Sequence, residues 1–367
     1  MPNQSVPNPL RETPLEALFW ALPHLPYDTS GLGLFLNAHH HPDLPRNLHC
    51  YQPRRDLYNE LVDDKYGCAE TVAELGRYDF AWIQGTPNEQ ETLGYLALAC
   101  KHLKPEAPLI LSVSNKDGGS RYAKLKFPYS LSKHKCRVIA SPAFEPPADW
   151  VDGPVKGENG YWTQPGIFGW NKIDAGSKLL VELMPDRLEG FGADFGAGWG
   201  YLSAHLAQRG CSDWHLYEVD RRAVDAARKN LEGIPNIEVY WQDLTKETAR
   251  RNYDVIVVNP PFHRDGRVSF EFGCLIVEEA IRNLRRGAHL WMVANQHLPY
   301  EVLLKEKLGA FETVGQRNGF KVLRAMRGAP PRIVKPALPT HTEDGIPIFD
   351  EEEEKPQRGP FRERRRR

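Results

Sequence analysis

Apolar and polar positions along residues 166–327 alternate between two periods, one of helices and one of strands. "IDAGSKLLVELM" (173–184) carries apolar residues at helical spacing and predicts an opening helix. "GFGADFGAG" (190–198) is a short apolar run broken by glycines, a first strand with its turn, and "YLSAHLAQRG" is a helix closed by Gly210. "WHLYEVD", "IEVYWQD" and "YDVIVVN" predict three further strands, the second and third preceded by "RRAVDAARKNLEG", a helix. A helix over "FGCLIVEEAIRNLRRG" (272–287), a strand over "AHLWMVAN" (288–295), and two β-runs around Asn318-Gly319 complete the segment. Asn-Gly between β-runs is a hairpin signal. Strand and helix in alternation predict a parallel sheet, here ended by an antiparallel hairpin.

Residues 1–140 repeat the plan more loosely, with "LGLFLNA", "FAWIQG" and "PLILSVS" as strands and "ETLGYLALACKHLK" as a helix. "RYDFAWIQGTPN" (77–88) aligns without gaps on "NYDVIVVNPPFH" (252–263), and residues 99–116 track 280–296 with one gap. Any two α/β units look broadly alike, but the shared Tyr-Asp and the matched spacing favour a duplication. The proline-rich stretch 141–165 predicts a linker. Residues 328–367 have no useful period and predict a disordered tail.

Composition narrows the class. The chain has 367 residues, 41% of them hydrophobic, enough for two domains with ordinary cores. No apolar run is long enough to span a membrane, and the N-terminus lacks a secretory pattern. Six scattered cysteines without a C-x-x-C pair argue against a zinc site and fit a reducing cytoplasm. His39-His40-His41 would alternate faces on an extended chain, so a surface loop is expected rather than a metal site. The net charge is −1, yet the last ten residues hold six Arg directly after the acidic run 350–354. Such blocks are solvated tails or phosphate-binding arms.

Candidate chemistry lies at the strand ends of the second half. "DFGAGWG" places Asp194, Gly196, Gly198 and Gly200 between a strand and a helix, where glycines let backbone approach a ligand. Alone, this turn could equally serve a nicotinamide cofactor. Glu218 ends the second strand, where a carboxylate can take two ribose hydroxyls. Asp243 ends the third, where it can accept from an adenine amino group. Asp220 is read as the cap of the next helix. Each acid by itself is an ordinary polar strand end; three at successive ends, followed by Asn259-Pro260-Pro261-Phe262 at the fourth, are rare together. The Asn259 oxygen and the Pro260 carbonyl can both accept from one flat amine, the prolines fix the loop and remove competing donors, and Phe262 can stack on a planar substrate. His263 is read as a loop histidine. The substrate is therefore an amine conjugated to a π-system, and the cofactor S-adenosylmethionine. The first half has no glycine at the matching turn and reads "QGTP" for "NPPF", so neither cofactor binding nor chemistry is expected there.

The motifs "NPPFH", "MVANQHLPYE", "GFKVLRAMR" and the approach "PGIFGWNKIDAGSKLL" (165–180) resemble the bacterial 16S ribosomal RNA guanine-N2 methyltransferases of the small-subunit methyltransferase C type. The resemblance implies two tandem Rossmann-like class I methyltransferase domains, each a seven-stranded sheet with a terminal antiparallel hairpin, the first degenerate. It implies methyl transfer from S-adenosylmethionine to guanine N2 in small-subunit ribosomal RNA, by a cytoplasmic monomer without metal. A catalytic role would fall to Asn259, Pro260, Pro261 and Phe262, and cofactor binding to Asp194, Gly196, Gly198, Gly200, Glu218 and Asp243. A large-subunit guanine-N2 enzyme shares "NPPFH", and a non-catalytic RNA-binding assembly protein could use the same fold. Trp199 is bulkier than the family's usual residue and predicts a differently shaped turn; the Arg-rich tail is outside the family pattern.

Overall fold

The computed structural model describes residues 13–328 apart from 262, 265, 266 and 269. The first sheet contains β1 (Gly33–Leu36), β2 (Leu48–Tyr51), β3 (Gly67–Ala69), β4 (Phe80–Gln84), β5 (Pro108–Ser114), β6 (Tyr129–Lys133) and β7 (Cys136–Pro142). A short pair follows, β8 (Val155–Lys156) and β9 (Trp162–Thr163). The second sheet contains β10 (Phe191–Phe195), β11 (Asp213–Glu218), β12 (Ile237–Trp241) and β13 (Tyr253–Val258). After the two-residue strands β14 (His263–Arg264) and β15 (Arg267–Val268), it is completed by β16 (Leu284–Asn295), β17 (Phe311–Arg317) and β18 (Phe320–Met326). The helices are α1 (Pro14–Ala21), α2 (Arg55–Asp63), α3 (Glu89–His102), α4 (Ala175–Leu183), α5 (Tyr201–Leu206), α6 (Arg221–Asn230), α7 (Phe270–Arg282) and α8 (Tyr300–Leu308).

The two sheets share one topology. Their orders are β3-β2-β1-β4-β5-β7-β6 and β12-β11-β10-β13-β16-β18-β17, each with its last two strands antiparallel. This is the doubled class I methyltransferase architecture that the alternating pattern predicts. β13 is apolar on both faces because helices cover both sides of a parallel sheet, and Ile256, Val257 and Val258 are fully buried. Capping fixes where helices start: Asn88 accepts from Glu91, Asp174 from Ser177, and Asp220 from Arg222.

Two local expectations are corrected. The helix expected through Gly287 ends at Arg282, and β16 begins at Leu284, which pairs with Tyr253. Leu284 is fully buried there, and Arg285 reaches Asp254 at 2.8 Å, contacts that a continued helix would forgo. His41 is buried rather than on a surface loop: its ring meets Phe19 at 4.9 Å and its Nε2 lies 3.2 Å from Glu16. Sequence adjacency did not reveal that α1, far off in the chain's start, closes over it.

The halves join through backbone as well as side chains. Arg54 and Asp220 form an antiparallel bridge, with Arg55 N donating to Val219 O and Arg221 N to Pro53 O, both at 2.8 Å. Arg222 then crosses to ion-pair with Glu91 while holding Asp220 at 2.7 Å, and all three side chains are largely buried.

Candidate active site at four strand ends

The order β12-β11-β10-β13 sets Asp243, Glu218, the glycine turn and Asn259 side by side at the carboxyl edge of the second sheet. A cavity of about 340 Å³ opens there, within the ~300–1,000 Å³ usual for small-molecule sites. Gly196, Gly198, Glu218, Asp243, Asn259, Pro260 and Pro261 all line it.

The turn is built for close approach. Gly196, Gly198 and Gly200 have φ of +75°, +55° and +89°, conformations that a side chain disfavours. The space that a Cβ on Gly198 would take is open. Trp199 does not distort the turn into the cavity. Its side chain packs into a separate cluster with Ile167, Ala223 and Ala226, against Tyr161 and Tyr201, and Asn230 holds its carbonyl at 2.8 Å.

The acids differ in what they have left to offer. Glu218 takes Gly198 N on one oxygen and Asp220 N on the other, both at 2.8 Å, so it braces the glycine turn and keeps a lone pair on each oxygen. Burial pushes its pKa up. Asp243 uses Oδ1 for Thr245 N and Oγ1, leaving buried Oδ2 without a hydrogen-bond partner among the described residues. Asp194 is fully buried; Ser203 Oγ donates to Oδ2 at 2.7 Å, and Oδ1 is likewise unpartnered. Buried acceptors left in this state are costly unless a ligand donates to them. The open cradle at Gly196 and Gly198 and the orphaned acceptor of Asp243 line the cavity and fit a nucleoside-type cofactor, whereas Asp194 and Gly200 are not among its lining residues.

Burial raises Asp194 to about 7, with Ser203 opposing. A carboxyl raised in the folded state stabilises fully below its unfolded pKa, and this contribution is lost as pH climbs through about 7. Without cofactor, the melting temperature of Asp194→Asn should therefore gain on the wild type by several degrees between pH 5 and pH 8, read by scanning calorimetry.

Two contributions were not visible in the sequence. The Asn259 amide is pinned: Nδ2 donates to Asp174 Oδ2 at 3.0 Å and to Ser177 Oγ at 2.9 Å. A carboxylate only accepts, so the amide nitrogen faces Asp174 and the oxygen is the acceptor on its other arm. Asp174 also caps α4, its side chain accepting from Ser177 N. The second is Arg54, which enters the cavity wall from the first half, braced by buried Asp56 at 2.9 Å. Only the bridge to Asp220 brings it there, and no motif marks it. Arg54→Met should weaken cofactor binding by about tenfold in calorimetry at fixed salt, since it removes a cation facing Glu218 and Asp220. Phe262 and the Arg-rich tail lie outside the described residues.

The first sheet shows what replaces this edge. By register, Asn37 stands where Gly196 does, Gln52 where Glu218 does and Gln84 where Asn259 does. Asn37 Nδ2 donates to Gln84 O at 2.9 Å and Gln52 Nε2 to Ala38 O at 2.7 Å, so amides tie the strand ends to one another. No helix among the described residues is long and apolar enough to cross a membrane, and none of their His, Cys, Asp and Glu form a metal-holding group.

Comparison with known proteins agrees with this geometry. Residues 158–324 match the methyltransferase small domain family. Ribosomal RNA small subunit methyltransferase C of Yersinia pestis (strain Pestoides F) is 28% identical over 319 residues, covering 83% of this chain and 88% of the relative. Its counterpart from Yersinia pseudotuberculosis matches to the same extent. Among solved structures, a T. thermophilus 16S rRNA N2 methyltransferase in complex with AdoMet and guanosine superposes with a TM-score of 0.69 at 24% identity, over 82% of this chain and 89% of that one. The chain thus has the two-domain fold of that methyltransferase, and its residues 158–324 are similar to the methyltransferase small domain family.

Proposed function

We propose that the protein transfers a methyl group from S-adenosylmethionine to the exocyclic N2 amine of a guanine in small-subunit ribosomal RNA, giving 2-methylguanosine. The observation that carries this reading is the pinned Asn259 amide, set with the Pro260 carbonyl on the wall of the cavity that the acids line. The named relatives and the structure that holds AdoMet and guanosine support it.

The cofactor, when bound, supplies an electrophilic methyl group. Glu218 and Asp243 would accept from its ribose and adenine, and the glycine turn would admit its backbone-facing edge. Asn259 Oδ1 and the Pro260 carbonyl then accept the two N–H groups of the guanine amine. This turns the nitrogen lone pair toward the methyl group and stabilises the charge that grows on nitrogen, and the methylated nitrogen would then release one of its two protons to water to give the neutral product. Asp174 and Ser177 keep the amide from turning over. A base inside a duplex must be extruded to reach this edge. In this reading the second sheet carries the chemistry, the first supports or docks RNA, residues 141–165 link them, and the enzyme works as a cytoplasmic monomer without metal.

The test is incubation with methyl-labelled cofactor and, separately, 30S particles, 50S particles and protein-free RNA, followed by mapping of the labelled nucleotide. Label at N2 of a small-subunit guanine is the expected result. Label confined to large-subunit RNA, DNA or protein, or none at all, would overturn it.

A further inference from the structure

We infer that the basic end of the first sheet, residues 116–137, docks the phosphate backbone of the RNA substrate; this rests on the methyltransferase reading above. The segment runs from the end of β5 through the β6–β7 hairpin. It holds seven Lys and Arg against one acid, Asp117, in a chain whose net charge is −1. Lys116, Arg121, Lys124, Lys126, Lys133 and Lys135 are exposed. Neutralising phosphates with such groups releases counterions and drives sequence-independent RNA binding.

The turn chemistry points the same way. The two sheets end in equivalent hairpins. The second turns on Asn318 and Gly319, at φ of +52° and +80°, the residues that such a turn favours. The first turns on His134 and Lys135 at +51° and +54°, and Lys126 takes +52° just before the hairpin. Side chains are disfavoured in this conformation, yet the turn holds a half-buried His134 and an exposed Lys135. Tyr129, on the same hairpin, is exposed and can stack on an unpaired base.

Position completes the argument. Arg121 lies 3.8 Å from Glu89 at the start of α3, and Glu91 in the same turn pairs with Arg222, which holds the cavity-lining Asp220. The basic end is thus linked to the cavity-lining Asp220 through the first turn of α3 and Arg222. Exposed cations spread over two short 3-10 helices and a hairpin, with an aromatic among them, suit a polyanion with flat bases better than an acidic peptide.

The test compares the wild type with K116E/K124E/K126E/K133E. Binding of protein-free small-subunit RNA is followed against salt, binding of polyglutamate in parallel, and methyl transfer and calorimetric cofactor binding are measured on the same samples. The expected result is a KM for RNA raised at least tenfold and a log–log salt slope smaller by roughly three, with kcat and cofactor affinity unchanged. The matching Lys→Gln set should give the same direction with less effect, and decides the matter if the Glu set fails to fold. An unchanged RNA KM and slope, or binding of polyglutamate alone, would overturn the docking surface. Wild type that methylates no RNA at all would instead remove the methyltransferase reading.

Discussion

Asn259→Ala should lower kcat about 10²–10³-fold while leaving calorimetric cofactor affinity within a factor of about three, the loss typical when one preorganised acceptor or donor is removed. The expectation follows from how the amide is held. Its nitrogen already satisfies Asp174 and Ser177, so only the oxygen is offered to a substrate, and removing it costs no cofactor contact. Asp174→Asn provides the finer check. It keeps volume but gives the Asn259 amide a partner that donates as well as accepts, so the amide can turn over; a loss of roughly tenfold in kcat is expected. If Asn259→Ala and Asp174→Asn both retain full turnover, the acceptor pair is not the amine site.

Arg222→Met should destabilise the fold by about 3–5 kcal/mol, seen as a lower urea midpoint. The guanidinium is buried, which opposes its charge, but Asp220 and Glu91 outweigh that and hold it more firmly protonated than a free arginine. Deleting it leaves Glu91 without this counter-charge and Asp220 with only Arg54, in a low-dielectric contact. The triple variant R222M/E91Q/D220N separates pairing from packing. It should recover most of the loss, because neutral groups carry a much smaller desolvation cost. A single variant as stable as the wild type would show that water reaches this junction.

The second sheet was legible because its signals are local. Apolar runs of strand length, glycines at the first turn and acids at successive strand ends lie within a few residues of the elements that they mark. Phe195, Glu218, Trp241 and Val258 fall into register as the pattern implies. The first sheet is legible only in part: β2 and β3 have only four and three residues, β6 is polar and mostly exposed, and the signal of the seven-residue, largely buried β7 is interrupted by Arg137 and Ser141. What escaped entirely was long-range. Asp174 meets Asn259 across 85 positions, and Arg54 reaches the cavity only because two chains of backbone cross at Asp220. The burial of His41 needed α1, whose helix start at Thr13 is a local signal but whose docking site is not.

The bridge between Arg54 and Asp220 has a mechanical consequence. Asp220 lies two residues beyond Glu218, whose oxygens hold both that residue's own loop and the glycine turn. The two halves are thereby geared together at the Glu218 end of the cavity. A rotation of the first half, of the kind that gripping a large RNA would impose, would reach Glu218, the carboxylate that the proposed function assigns to the cofactor ribose. Substrate engagement and cofactor retention then share one lever, and stiffening that crossing, for instance with an engineered disulfide, would be felt as slower exchange of spent cofactor rather than as weaker RNA binding.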